Sequence, residues 1–284
     1  MKKLSWGVLA LMLTMFAAGC GAKDDGKEGA APSAGEAGGT ASADGAGAKV
    51  YLIGTDASYA PMESMDKDKI VGFDVDFLEA VMKEAGLDYK LENAGWDPLF
   101  TDLESKTHKY DAGISAISIT DDRKGTFDFS MPYFESVNMI LTKEDSAIAN
   151  AQDLKDKKVA VQGATTAEEL MKGIMGETNA SLKRFDSNTV ALLELEKGGV
   201  DAVVADFAVV QSYVQSHPDK KFKAMFDKTN FQSEYYGIML PKGSELKAKL
   251  DPAIEKVRSS DAYKEMYKKW LGVEPDTTDL LKTK

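Results

Sequence analysis

The chain has 284 residues, of which 43% are hydrophobic, and carries a formal net charge of −11. That is apolar material for one large or two modest globular bodies. The acidic balance argues against nucleic acid as a partner, because affinity for phosphate backbones rests on basic patches; it identifies no ligand by itself.

In chain order, Lys2 and Lys3 precede an apolar run from Leu4 to Ala18 that ends in Gly19-Cys20. The run is shorter than the roughly 20 residues a membrane-spanning helix needs. A charged start, an apolar centre and small residues before a break predict a secretory signal peptide over residues 1–19. Cys20 is the only cysteine, so it has no internal disulfide partner. "FAAGC" resembles a bacterial lipobox, with Ala17 where Leu is usual, and implies lipidation of Cys20. Two acyl chains would hold the protein stably at the outer face of the cytoplasmic membrane; ordinary cleavage beside a free thiol is the alternative. Residues 21–48 are mostly Gly, Ala, Ser and acids, with no large apolar side chain. Nothing there offsets the entropy of ordering, which predicts a disordered tether over residues 20–48.

From Lys49 the patterns alternate. "KVYLIGTD" reads as a buried strand and "IVGFDVDFLEAVMKEAG" as a strand end entering a helix, with Phe73, Phe77, Val81 and Ala85 at four-residue spacing and Gly86 as its stop. "DYKLENAG" is a strand, a helix begins near Asp97-Pro98, and "YDAGISAISIT" is a strand on which Ser118 and Thr120 should share a face. The series then restarts with "LKDKKVAVQ", "TTAEELMKGIM", "SLKRFDS", "NTVALLELEKGG" and "VDAVVAD". Strand–helix alternation of this kind predicts a parallel sheet covered on both faces, twice over. The stretches "LESKTHKYDAGISAI" and "LELEKGGVDAVVADF" even rhyme, a hint of two alike lobes. Residues 136–146 and 234–244 are strand-like and run from one half toward the other, as hinge strands do. The C-terminal part is helical, with a break expected at Asp251-Pro252, Asp capping and Pro opening a second helix. The expected fold class is α/β: two Rossmann-like lobes joined by two hinge strands. Lobe 1 covers residues 49–138 and returns at 238–284 with the C-terminal helices; lobe 2 covers 139–237.

Ligands of open α/β sheets lie beyond the carboxyl ends of the strands. Standing there are Asp56 and Tyr59, then Trp96, then Ser115, Ala116, Ser118 and Arg123. The second half contributes Gln162, Thr165 and Thr166, and Asp206. Arg123 offers a planar fork of donors suited to a carboxylate, with the Ser118 hydroxyl nearby. Thr165 and Thr166 open a helix whose free N–H groups favour the same anion. Asp206 has the opposite sign, for an ammonium. Carboxylate and ammonium on one carbon make an α-amino acid, whose side chain Tyr59 and Trp96 would sandwich. Plainer readings stand beside these: Asp206 as a helix cap, Arg123 in a surface ion pair, the two aromatics as core, Asp56 as a turn residue. His108 and His217 stand alone in polar stretches, so no metal or cofactor is expected, and no nucleophile–base pair points to an enzyme.

The motifs "GTDASYAPME", "VGFDVDFLEAV", "SITDDRKGTFDFSMPYF", "VAVQGATTAEEL", "GGVDAVVAD" and "YYGIMLPKG" together resemble the amino-acid substrate-binding proteins of ABC importers over residues 49 to 272. The resemblance implies a type 2 periplasmic-binding-protein fold whose lobes close on ligand. It implies Arg123 for the ligand carboxylate, Asp206 for its ammonium, Tyr59 and Trp96 as the aromatic pair, and Asp56 for the distal end of the side chain. "GWDPLF", "ENAG" and "VVADFAVV" look most like members that bind arginine, lysine or histidine, with glutamine as the alternative. The partners implied are an ABC permease with its ATPase subunits, the protein itself acting as a monomer. A dehydratase-like enzyme and a receptor-docking sensor are the rivals from other classes. Ala116 and Ala164 replace glycines common in the family, and the first is expected to narrow the carboxylate site.

Overall fold

The structure, a computed structural model, describes residues 49–283; the expected signal peptide, Cys20 and the tether lie outside the described residues. β1 (Val50–Thr55) is followed by three short antiparallel strands, β2 (Ser58–Tyr59), β3 (Glu63–Asp66) and β4 (Lys69–Val71). They lead into α1 (Phe73–Ala85), which buries Phe73, Phe77, Leu78, Val81 and Met82 along one stripe. Asp74 and Asp76 in its first turn and Lys83 in its last complement the helix dipole, and Gly86 closes it at φ 67°. At Gly72, before the helix, an added Cβ would stand 2.0 Å from the Met62 carbonyl oxygen. Only glycine lets the first turn sit directly on residues 61–63, where Phe73 N and Asp74 N donate to Pro61 O and Met62 O at 3.0 and 2.9 Å.

The first half continues with β5 (Asp88–Asn93), α2 (Trp96–Glu104), β6 (Ala112–Gly113), α3 (Asp121–Thr126) and β7 (Asp128–Phe129). β8 (Phe134–Lys143) then carries the chain to the second half. There follow β9 (Val159–Gln162), α4 (Thr166–Met175), β10 (Leu182–Phe185), α5 (Asn188–Lys197), β11 (Ala202–Asp206), α6 (Phe207–Ser216) and β12 (Phe222–Phe226). β13 (Ser233–Tyr236) and β14 (Met239–Leu240) return, and α7 (Leu246–Arg258) and α8 (Asp261–Leu271) pack against α1.

Beside the small β2-β3-β4 sheet, two larger sheets result, ordered β5-β1-β6-β14-β7 and β10-β9-β11-β8-β12. The parallel expectation holds for three strands in each; the remaining pairings are antiparallel because β14 and β8 run against the neighbours on both their sides. The first half of β8 pairs with β13, from Phe134↔Tyr236 to Val137↔Ser233, and its second half pairs with β11 and β12. β13 runs on toward β14 in the first sheet. Two adjacent strands therefore join two α/β lobes, as the sequence patterns suggested.

Three local expectations fail. "YDAGISAISIT" is a strand only at Ala112–Gly113, because Ala116 adopts φ 46° and turns the chain out of the sheet. Ser118 and Thr120 consequently act apart. Ser118 Oγ donates to Glu234 Oε2 at 2.6 Å, while Thr120 caps α3, accepting from Arg123 N. Pro252 lies inside an unbroken α7. Asp251 accepts from Met131 N and Lys247 Nζ instead of capping, and the helix break falls later, where Ser260 caps α8.

Candidate ligand-binding site

Ten of the eleven candidate residues line one cleft between the lobes. Asp56 borders the adjoining opening and shares Trp96 with the cleft. The lobes are drawn together so tightly that the enclosed space is about 10 Å³, room for roughly one water. Anything larger enters by parting them.

Arg123 sits in the first turns of α3. Its Nη1 donates to Ser118 O at 2.9 Å within lobe 1, and its Nη2 reaches across to Ala164 O at 3.1 Å. The guanidinium lies over the rings of Trp96 and Phe100, at 5.5 and 5.1 Å from their centroids. Trp96 thus braces the cation, a role the sequence did not suggest for it, while one edge still lines the cleft. Phe100 was not anticipated; it lies four residues after Trp96 on α2, the spacing that brings side chains together on a helix.

Asp206, at the end of β11, is 5% exposed. It stands at the N-cap position of α6, but its side chain makes no cap hydrogen bond. Instead its Oδ2 accepts from Tyr59 of lobe 1 and Tyr236 of β13, both at 2.6 Å. Its Oδ1 is buried without a donor. Burial first, then the charge of Glu234, push its pKa up to about 7, with the two phenols and Arg123 pulling the other way. A buried carboxyl with one open oxygen is a receptor for a cationic donor.

On the same lobe as Asp206, Gln162 ends β9. Its Oε1 accepts from the Asn188 side chain, and its Nε2 donates to Asp56 Oδ2 at 3.4 Å. Asp56 also accepts from Ser58, and burial raises its pKa. Thr165 caps α4, accepting from Glu168 N and donating to Gln162 O. Its hydroxyl is therefore committed, and what it presents is the helix start. Thr166 opens α4, its hydroxyl 3.4 Å from Asn138 Nδ2. Ser115 is committed too: its Oγ accepts from Asp56 N and donates to Glu63 Oε1. Ala116 and Ala164, at φ 46° and 56°, both occupy left-handed backbone. The missing glycines matter through backbone strain, of order 1 kcal/mol each, more than through site width.

Glu234 and Asn138 were missed by sequence reasoning. Glu234 Oε1 accepts from Asn138 Nδ2 at 2.6 Å, so the hinge strands place a carboxylate behind the cleft-lining Ser118 and Asn138. The signal was present: Glu234 and Tyr236 alternate on one strand, and alternating residues share a face.

A two-lobed α/β body with a buried cleft at its hinge, lined by charges of both signs, defines a solute-binding protein. Residues 51–273 match the bacterial extracellular solute-binding proteins, family 3, and the chain belongs to that family. A probable histidine-binding protein of Neisseria gonorrhoeae is 36% identical over 96% of this chain and 97% of its own length. An arginine-binding extracellular protein of Bacillus subtilis is 30% identical over 95% and 98%. Among solved structures, the arginine-, lysine-, histidine-binding protein ArtJ of Geobacillus stearothermophilus superposes with a TM-score of 0.78 at 53% identity, covering 82% of this chain and 99% of that one. These relatives are binding proteins, not enzymes. Among the described residues no helix is long and apolar enough to cross a membrane.

Proposed function

We propose that the protein captures a cationic L-amino acid (arginine, lysine or histidine) between its lobes and delivers it to an ABC permease and its ATPase subunits. In this reading Cys20 is lipidated after removal of residues 1–19, and residues 20–48 tether a monomeric body at the outer face of the membrane. The body consists of lobe 1 (49–138 and 238–284) and lobe 2 (139–237).

The observation that carries the choice of ligand is the charge balance. In and beside one cleft Asp56, Asp206 and Glu234 stand against Arg123, while the other guanidinium at the opening beside Asp56, Arg184, is already paired with Glu168. A zwitterion is neutral and leaves that excess; an amino acid with a cationic side chain offsets it. The ligand carboxylate would take Arg123, the α4 start and, once its hydroxyl turns from Glu234, Ser118, and its ammonium the open Oδ1 of Asp206. Its side chain would run past Tyr59 and Trp96 to Asp56. Loading then exchanges contacts, since Tyr59–Asp206 and Arg123–Ala164 give way to ligand bonds and buried groups stay paired. Glutamine is the second reading, because its carboxamide could also donate to Asp56. The discriminating substitution is Asp56→Asn, expected to weaken arginine by about tenfold or more while changing glutamine little. Equal losses for both ligands by calorimetry would remove the charge assignment.

A further inference from the structure

Beneath the Ser115–Ser118 loop lie two carboxyls, Glu63 of β3 and Asp74 of α1, exposed by 0% and 1%. Among the described residues no lysine, arginine or histidine hydrogen-bonds to either. Glu63 Oε1 accepts from Ser115 Oγ at 2.6 Å. Asp74 Oδ2 accepts from Ala116 N at 2.7 Å and from the Tyr133 hydroxyl at 2.8 Å. The remaining oxygens, Glu63 Oε2 and Asp74 Oδ1, are buried and have no donor, and the two residues are held side by side: Asp74 N donates to Met62 O, next to Glu63, and their partners Ser115 and Ala116 are neighbours in the chain.

We propose that Glu63 and Asp74 share one buried proton, and that this bridge is the clasp holding Ser115 and Ala116 in their binding geometry. The inference rests on reading the cleft as the amino-acid site. Two ionised carboxylates in contact would repel and leave both oxygens bare, whereas one proton satisfies both. The helix assigns it. Asp74 stands in the first turn of α1, where the dipole favours an anion, and already accepts from two donors. Glu63 lies on a strand with one donor. Glu63 is the acid, its Oε2–H donating to Asp74 Oδ1. Burial, then the neighbouring Asp74, pushes Glu63 well above the usual carboxyl range.

Through Ser115 the bridge also fixes Asp56 N, which donates to Ser115 Oγ at 3.0 Å. Through Ala116 it holds a residue at φ 46° that would otherwise relax. Glu63 and Asp74 are thus positioning residues for both loops that lobe 1 presents to the ligand. The titratable groups facing them are Asp56 beyond β1, Tyr59 of β2, Tyr133 ahead of β8 and Tyr263 of α8. All are acids or phenols, so nothing compensates a second negative charge. Glu63's folded-state pKa lies above its ordinary 4.5. Its contribution to stability is full below that value and is lost as pH rises through the raised one.

The test compares Glu63→Gln with Glu63→Leu in the full chain. The Gln amide can donate to Asp74 and accept from Ser115 while having no proton to lose. Glu63→Gln should bind arginine, the probe used, within about threefold of wild type at neutral pH, whereas Glu63→Leu should lose about tenfold or more. Beyond the loss of the ligand's own ammonium proton, common to both proteins, the affinity of wild type should show an additional alkaline fall that Glu63→Gln lacks. If Glu63→Gln loses as much as Glu63→Leu, or follows the wild-type alkaline profile, the shared proton is wrong. A second measurement needs neither the Gln variant nor a ligand: infrared spectroscopy of Asp206→Asn, which removes the cleft carboxyl whose pKa is raised to about 7. A protonated-carboxyl carbonyl band at neutral pH supports the bridge and its absence overturns it, whether or not the cleft takes an amino acid.

Discussion

The two walls of the cleft are built differently. Lobe 1 presents loops pinned from below: Asp56 and Ala116 hang on Ser115, Glu63 and Asp74, and Arg123 is braced by Trp96 and Phe100. Lobe 2 presents element ends: the start of α4, the Gln162 amide and Asp206, whose partners Tyr59 and Tyr236 come from lobe 1 and the hinge strand. One wall is set before the lobes meet; the other is completed by their meeting. A ligand that bridges the walls therefore adds most to closure through Arg123 and Asp206, and pre-organisation of lobe 1 lowers the ordering cost of that step.

The strongest way to break this contrast is Arg123→Ala. In the proposed binding mode, removing the cation leaves the ligand carboxylate without its charge partner, and binding should weaken by roughly a hundredfold or more, as truncation of a buried charge pair does. Calorimetry reads it. A loss of only a fewfold would move the carboxylate site elsewhere.

The next effect is a pH dependence located on lobe 2. Asp206 has a folded-state pKa raised to about 7 from its ordinary 3.8. Its proton contributes stability fully below about 4, and that contribution disappears as pH rises through 7. A ligand ammonium needs the ionised form, so binding below pH 7 must release a proton. Affinity for the amino acid should drop by up to about tenfold per pH unit below 7. Asp206→Asn should be weak throughout and lack that slope. Calorimetry in buffers of different ionisation enthalpy counts the protons.

Much of this arrangement was legible in the sequence, and the omissions have physical causes. Strand ends are readable from apolar runs, and residues just beyond them converge whatever the helices do, so Asp56, Arg123, Gln162 and Asp206 could be gathered in advance. Glu234 and Asn138 could not, because they meet only when two strands about a hundred residues apart pair at the hinge. Ala116 hid its left-handed turn inside an alternating apolar run that imitates a strand. Pro252 imitated a helix start; its helix runs through because Leu250, Ala253, Ile254 and Val257 around it are held in the core.

The smallest effect concerns Ala164, whose carbonyl meets Arg123 across the cleft and whose φ is 56°. Ala164→Gly should raise stability by about 0.5–1 kcal/mol, read as an upward shift in thermal midpoint, because glycine adopts this backbone without penalty. An unchanged or lower midpoint would show that lobe 2 tolerates the strain by other means.

The most direct measurement is calorimetric titration of the chain with each of the twenty amino acids, preceded by a thermal-shift screen. A ligand at about 100 times its dissociation constant adds roughly 2.7 kcal/mol of stability. The charge balance of the cleft predicts binding by arginine, lysine or histidine, with glutamine weaker. Tightest binding by glutamine or another uncharged amino acid, or no response to any of the twenty, would contradict it.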